Sequence, residues 1–377
     1  MAGIYIHIPF CKQACYYCDF HFSTNQEVEA DMVNAIAHEL FLQKKYLGQE
    51  AIQTIYLGGG TPSLLPDVHL KKILEVTRSN FDITNNAEIT LEANPDDLTY
   101  DRLVALRNMG INRLSIGIQS FDDAVLKFLN RAHDAQNAMT SVQEARKAGF
   151  KNISIDLIYA IPGQGNEAWR KNIHQALALE PEHISSYSLT IEEKTVFGRW
   201  SAKGKLNAVD DDLAAQQLEI LMNTLAEAGY DQYEVSNFGK PGFWSQHNSS
   251  YWKQEKYLGI GPSAHSYNGS SRQFNIRNNH MYLRALADDK IPFELETLTR
   301  EDKINDYLLT TLRTSWGTNL KILKSEFTCD LVSEHSSYIQ DLMDRGLANM
   351  EHDFLTLTRK GKFFADKIAS DLFAIPS

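Results

Sequence analysis

Cysteine is scarce in this chain of 377 residues, with four in all. That scarcity excludes a disulfide framework as the basis of the fold, because such frameworks belong to small oxidised domains. No apolar stretch approaches the roughly 20 residues that a membrane-spanning helix needs. Residues 1–9 carry neither the cationic start nor the long apolar run of a secretory signal. Basic side chains are also in the minority: 37 Lys and Arg face 48 Asp and Glu, for a net charge of −11 with histidine neutral. Proteins that hold nucleic acid draw on clustered Lys and Arg, so this balance argues against such a partner. There is no low-complexity tract. What remains is 43% hydrophobic and 23% charged, the make-up of an ordinary soluble protein. At roughly 150 residues per domain it should have two or three domains. The expectation is a cytoplasmic protein.

The four cysteines are unevenly spread. Cys11, Cys15 and Cys18 fall within one short segment, whereas Cys329 stands alone near the other end and reads as an incidental thiol. Three thiols crowded together in a large cytosolic chain point to metal binding or redox chemistry.

Short β-type runs at 4–8, 54–57, 88–91, 113–118, 153–158 and 184–189 alternate with helical patterns at 27–45, 68–79, 100–109, 122–129, 135–148 and 167–179. Gly110 and Gly149 follow the last periodic residues of two of these helices, as C-terminal caps do. Six βα units predict an α/β fold with a parallel sheet, curved into a partial (βα)6 TIM-like barrel or laid flat and doubly wound. A further helix at 210–228 and strand at 230–235 follow. The core is therefore placed at 1–236, an irregular connecting region at 237–296, and a mostly helical, winged-helix-like domain at 297–377. That last segment has 10 basic and 12 acidic residues, which favours an accessory or docking role over DNA binding.

In parallel βα folds the active site gathers at the C-terminal ends of the strands. Here those ends carry, in order, the cysteine loop, Gly58-Gly59-Gly60-Thr61-Pro62, Glu92-Ala93-Asn94-Pro95 and Gln119-Ser120, with Asp156 inside the fifth strand. Three thiolates do not saturate a tetrahedral zinc ion, so a zinc site would have to borrow His7 or His21. A [4Fe–4S] cluster normally takes four cysteines, and three would leave one iron open to a ligand.

Cys11-x3-Cys15-x2-Cys18, with Tyr17 before the third cysteine and a glycine loop after the second strand, resembles the signature of the radical S-adenosylmethionine (SAM) enzymes. The resemblance implies that the three cysteines hold a [4Fe–4S] cluster and that SAM chelates its open iron, to be cleaved to a 5′-deoxyadenosyl radical. Tyr5-x-His7-Ile8-Pro9-Phe10-Cys11, Gly58 to Ser63, Glu92 to Pro95, the run from Ser115 to Phe121 and Asp156 to Gly163 further resemble the oxygen-independent coproporphyrinogen III oxidase group, over almost the whole chain. By that resemblance Tyr5 lies beside SAM, Gly59, Gly60 and Thr61 offer backbone groups to it, and Glu92 binds it. Gln119, Arg131 and Asp156 match residues around a second SAM.

One position departs from the decarboxylase pattern, which continues to a fourth cysteine where this chain has Phe20. Phenylalanine there is shared with the haem-chaperone branch of the group, which also carries a His-Asn-x-x-Tyr element, present here as His247-Asn248-Ser249-Ser250-Tyr251. The resemblance implies haem binding, with His247 as the contact since imidazole is a common axial ligand. It also implies delivery to haem-requiring acceptors such as respiratory cytochromes. His265 reads as structural, and a homodimer is neither required nor excluded. SAM-dependent decarboxylation of coproporphyrinogen III is the alternative reading.

Overall fold

The computed structural model describes residues 2–375. Its centre is six parallel strands, β1 (Ala2–Ile8), β2 (Ile52–Gly59), β3 (Ile83–Ala93), β4 (Arg113–Gln119), β5 (Ile153–Tyr159) and β6 (His183–Ser188). Between them run α1 (Glu29–Leu42), α2 (Asp67–Asn80), α3 (Tyr100–Asn108), the pair α4 (Asp123–Phe128) and α5 (Ala135–Lys147), and α6 (Asn166–Ala178). The strands lie side by side in chain order and all pair in parallel. Right-handed crossovers between successive neighbours put every helix on one face, so the sheet curls around the other. A doubly wound sheet would instead reverse its strand order partway across. The partial barrel is the correct alternative.

Local sequence explains the layers. In β1, Ile4, Ile6 and Ile8 are buried in the main hydrophobic core, while the alternate residues Tyr5 and His7 point to the opposite side and line a second chamber. Asp122, Asp134 and Asp210 accept backbone N–H groups at the starts of α4, α5 and α8 (Asp211–Glu227), which follows α7 (Val196–Ala202). Gly110 and Gly149 take φ of 93° and 90° where α3 and α5 end.

The stretch 237–296, expected to be irregular, is a correction: it adds strands to both margins of the sheet. After β7 (Asp231–Glu234), β8 (Asn237–Gly239) pairs antiparallel with β6. The chain then crosses under the barrel through α9 (Gln246–Trp252), and β9 (Lys256–Ile260) pairs in parallel with β1. Next come β10 (His265–Tyr267), β11 (Ser271–Asn275), α10 (Asn279–Ala287) and β12 (Phe293–Thr297), making one sheet of 12 strands. These strands span three to five residues, too short to show a period between their Gly, Asn and Ser turns.

The C-terminal part has the winged-helix order: α11 (Arg300–Leu312), β13 (Thr318–Asn319), α12 (Leu320–Phe327), α13 (Leu331–Glu334), α14 (Ser336–Asp344), β14 (Ala348–Glu351), β15 (Phe354–Leu357) and α15 (Ala365–Asp371). Its strands form a separate three-stranded sheet over its own core, which includes Leu308, Leu323, Leu342 and Leu355. Cys329 is buried in that core, remote from the other cysteines. Among the described residues no helix is long and apolar enough to cross a membrane.

Arg313 fastens this unit to the barrel. Its guanidinium binds the buried Glu234 at 3.0 Å, pairs with Asp366 and lies over the Trp252 ring at 5.5 Å. Removing one partner of a buried pair leaves the other charge uncompensated. Arg313→Met, which keeps the volume of the side chain, is expected to cost about 3 kcal/mol in urea unfolding; a loss below about 0.5 kcal/mol would show that the pair does not hold the two parts together.

Candidate functional site

The C-terminal ends of β1–β6 open on a cavity of about 630 Å³ whose wall includes Cys11, Cys15 and Cys18. The loop that carries them is tied down at both ends. Cys11 N–H donates to the Ser23 carbonyl at 3.0 Å and Ser23 N–H to that of Pro9 at 2.9 Å. On the far side Tyr16 N–H donates to the Leu129 carbonyl and the Asn130 side chain to that of Ala14, so the end of α4 holds the loop in place.

All three thiols are free. Burial pushes Cys11 up to about 11 and Cys18 up to about 12, so ionising them in this cavity needs a compensating cation. Among the described residues no three His, Cys, Asp or Glu side chains converge on one ion position. Three thiolates on one wall suit a polynuclear cluster, in which each iron takes one thiolate, better than a mononuclear zinc, which needs a fourth protein ligand. His7, one of the two histidines that could complete a zinc site, has both ring nitrogens engaged, by Tyr5 and by the His21 carbonyl.

Two of the sulfurs are joined by a continuous polar chain. Thr61 Oγ1 donates to Cys11 Sγ at 3.4 Å and accepts from Asn94 Nδ2 at 3.3 Å. Asn94 Oδ1 accepts from Arg131 at 2.6 Å, and the same guanidinium donates to Cys15 Sγ at 3.4 Å, to Tyr17 Oη at 3.4 Å and to the Gly117 carbonyl at 2.8 Å. Burial works against the charge of Arg131, but Tyr17 and Cys15 beside it more than offset this, and it stays cationic. Its Nε has no protein partner. Arg131 and Tyr17 thus belong to the site, and hydrogen bonds to cluster sulfurs are a known means of setting redox potential.

Glu92 lies opposite. Tyr56 Oη donates to its Oε1 at 2.8 Å and Gly59 N–H to its Oε2 at 3.1 Å. Burial first, and then the charge of Asp156, push Glu92 up to about 7 despite those bonds. Asp156 is pushed up to about 6 by burial, with Arg113, Ser185 and Ser115 pulling the other way. Gln119, on the same wall at the end of β4, has a left-handed backbone with φ of 66°.

The glycine loop is placed as expected, and its N–H groups are already engaged. Gly59 has φ of 106°, and a Cβ there would sit 2.5 Å from the His7 ring. The N–H groups of Gly59, Gly60 and Thr61 are spent on Glu92, the Ile8 carbonyl and the Phe10 carbonyl. The loop therefore clamps β1 to β2, and its carbonyl oxygens are what it can offer a ligand's ammonium.

Tyr5 and His247 lie off this wall, and the surroundings of His247 correct its reading as a haem contact. Tyr5 faces a neighbouring chamber and stacks between Tyr56, at 6.1 Å, and His247, at 6.4 Å. His247 is buried in the floor of the barrel. Its Nδ1 is bonded to Thr54 Oγ1 at 2.7 Å and its Nε2 to Tyr251 Oη at 2.8 Å, so neither nitrogen is free for iron. Conversely, Tyr56, Ser185, Tyr187 and Asn94 line the cavity unassigned by sequence. Strand alternation held the signal for one of them: Tyr187 pairs with Ile158, two residues beyond Asp156.

Residues 5–176 match the radical SAM superfamily. The haem chaperone HemW of Bacillus subtilis (strain 168) is 36% identical over 98% of this chain and 98% of its own. HemW of Escherichia coli (strain K12) is 40% identical over 70% of this chain and 69% of its own. The mitochondrial radical S-adenosyl methionine domain-containing protein 1 of Mus musculus is 38% identical over 70% and 60%. Among solved structures, the coproporphyrinogen III oxidase of E. coli (HemN), a radical SAM enzyme, superposes with a TM-score of 0.83 over 99% of this chain and 90% of that one, at 24% identity, which is a likeness of fold.

Cys15→Ala should abolish the iron–sulfur absorption of the reconstituted protein, and a full [4Fe–4S] spectrum in that variant would overturn the ligand assignment. A cation bound beside Glu92 and Asp156 favours their ionised forms, so SAM binding should release protons near pH 6–7 and weaken as pH falls below about 7. In the unliganded protein the sign is opposite: Glu92 keeps its proton longer folded than unfolded, so it lowers stability as pH rises from 4.5 to about 7. Calorimetry in buffers of different ionisation enthalpy checks the release; Glu92→Gln should weaken binding about tenfold at pH 8 and flatten the pH profile.

Proposed function

The chain belongs to the HemW family of haem chaperones within the radical SAM superfamily, and from that premise we propose that it binds haem and delivers it to haem-requiring acceptors such as respiratory cytochromes. The similarity to the Bacillus chaperone, which runs the length of both chains, carries this reading. Phe20 supports it from the structure. Where the decarboxylase signature has a cysteine, this chain presents an aromatic ring that is 71% exposed and stands in the wall of two adjoining chambers. A phenyl ring has no proton to exchange and no lone pair to donate to a radical or a metal; what it offers is apolar surface to a flat ligand.

Cys11, Cys15 and Cys18 would hold a [4Fe–4S] cluster, with SAM on the remaining iron. When bound, that pair supplies one-electron cleavage of the sulfonium. The rest falls to the chain's own groups. Arg131 and Thr61 direct hydrogen bonds at the sulfurs of Cys15 and Cys11. Glu92, with a carboxyl poised between its two forms at neutral pH, can in its ionised form accept hydrogen bonds from an ammonium and balance its charge. Tyr56 and Gly59 hold that carboxyl in one orientation. In this reading cluster and SAM support or regulate haem handling.

The test is a titration of the cluster-loaded protein with ferric haem, followed by transfer to an apo-cytochrome. Stoichiometric binding with a shifted Soret band, and loss of that band to the acceptor, is the expected result. SAM-dependent conversion of coproporphyrinogen III to protoporphyrinogen without haem retention would replace the chaperone reading by the decarboxylase.

A further inference from the structure

A second chamber of about 630 Å³ adjoins the cysteine cavity, bounded by β1, the β9–β11 margin and α11. Asp19 and Phe20 stand in the walls of both, so the two meet at the end of the cysteine loop. Its size is that of a pocket for an organic cofactor, and three imidazoles, those of His7, His21 and His265, face it.

What each imidazole has left to give differs. His7 is engaged at both nitrogens, with Tyr5 Oη at 3.1 Å and the His21 carbonyl at 2.8 Å. His21 is held at Nε2 by Asn279 Oδ1 at 2.7 Å. His265 is exposed, its ring edge-on to Phe274 at 4.7 Å, and neither of its ring nitrogens bonds a protein atom. The guanidiniums divide in the same way. Arg272 is held by Asp306 and by Glu296 at 3.6 Å. Arg277 donates to the Asp19 backbone carbonyl and meets its carboxylate only at 3.6 Å, with both side chains about half exposed. A propionate can displace so loose a carboxylate at little cost.

Resting on the chaperone reading above, we propose that this second chamber is the haem site: His265 ligates the iron, Arg277 takes a propionate in exchange for Asp19, and Phe20 covers the macrocycle edge nearest the cysteine loop. The donor set fits a metalloporphyrin and no bare ion. Among the described residues no three ligating side chains converge on one point, but haem brings four nitrogens of its own and asks the protein for one or two axial ligands. The His-Asn-x-x-Tyr element then acts from behind. Tyr251, whose hydroxyl bonds His247, is in the chamber wall, so His247 positions that wall without touching the iron.

The experiment titrates ferric haem into the full-length, cluster-loaded protein and its His265→Ala and Arg277→Gln variants, by difference absorption and electron paramagnetic resonance. His265→Ala should lose the histidine-ligated signature and bind at least about tenfold more weakly, with added imidazole restoring the signature. Arg277→Gln should weaken haem about tenfold while leaving haem dimethyl ester unchanged. Both side chains are exposed, so circular-dichroism melts should match the wild type. If the wild type binds haem and both variants bind it with unchanged spectrum and affinity, the chamber assignment is overturned and the chaperone reading stands. A wild type that binds no haem removes that reading itself.

Discussion

The structure depends on both edges of β1 being paired. This strand is buried on its two faces, and a buried strand with an open edge would leave a row of unsatisfied N–H and C=O groups. β2 closes one side, as in any βα unit. The other is closed by β9, which arrives some 250 residues later in the chain and pairs in parallel over Ala2–Ile6. To reach it the chain must cross from the β6 margin, and α9 makes that crossing. The helix fills the floor of the barrel, where the carboxylate of Glu88 accepts the N–H groups of Gln246 and His247 at 3.2 and 3.1 Å. One backbone requirement thus supplies the floor, the second chamber and its position beside the cysteine loop.

The lumen above that floor is polar to an extent that folding alone does not reward. Glu92, Asp156, Arg113 and Arg131 are enclosed in it; the Nε atoms of both arginines make no protein hydrogen bond, and that of Arg113 meets the Glu88 carboxylate only at 3.9 Å. Burying charge costs several kcal/mol per ion before pairing is counted. The two carboxylates respond as burial dictates, holding their protons towards neutral pH. Such a lumen is stable enough because hydrophobic layers beneath the helices carry the fold, and it is suited to a ligand that is cationic at one end and hydroxylated along its length. The polar chain from Cys11 through Thr61 and Asn94 to Arg131 and Cys15 ties the cluster loop to that lumen, so the ligand and the sulfurs share one hydrogen-bonded frame.

Much of this was legible in the residues. The six core strands and their helices follow from apolar runs long enough to show a period, and their ends match the structure within a few residues. The cysteine loop, the glycine loop, Glu92 and Gln119 reach one cavity because each sits at the C-terminal end of its strand; Asp156 reaches it from within β5, and Arg131 from the segment after α4. The margin strands were not legible, since three to five residues between turns carry no period. Tyr56 was hidden for another reason: aromatic residues in strands are ordinarily core, and only the curl of the sheet turns this one inward.

The histidines show where local reading stops. His247 sits in a motif and His265 in an ordinary Gly-Pro-Ser-Ala context, and sequence ranks them accordingly. The fold reverses the order, because an imidazole's availability depends on what surrounds both nitrogens. Thr54, 193 positions away, and Tyr251 consume those of His247, whereas the start of β10 leaves those of His265 open. The sequence by itself determined the six βα units, the cysteine loop and the family, all properties of local spacing. Only the tertiary structure decided that the barrel has two chambers and which imidazole is free, because both depend on contacts between segments hundreds of residues apart.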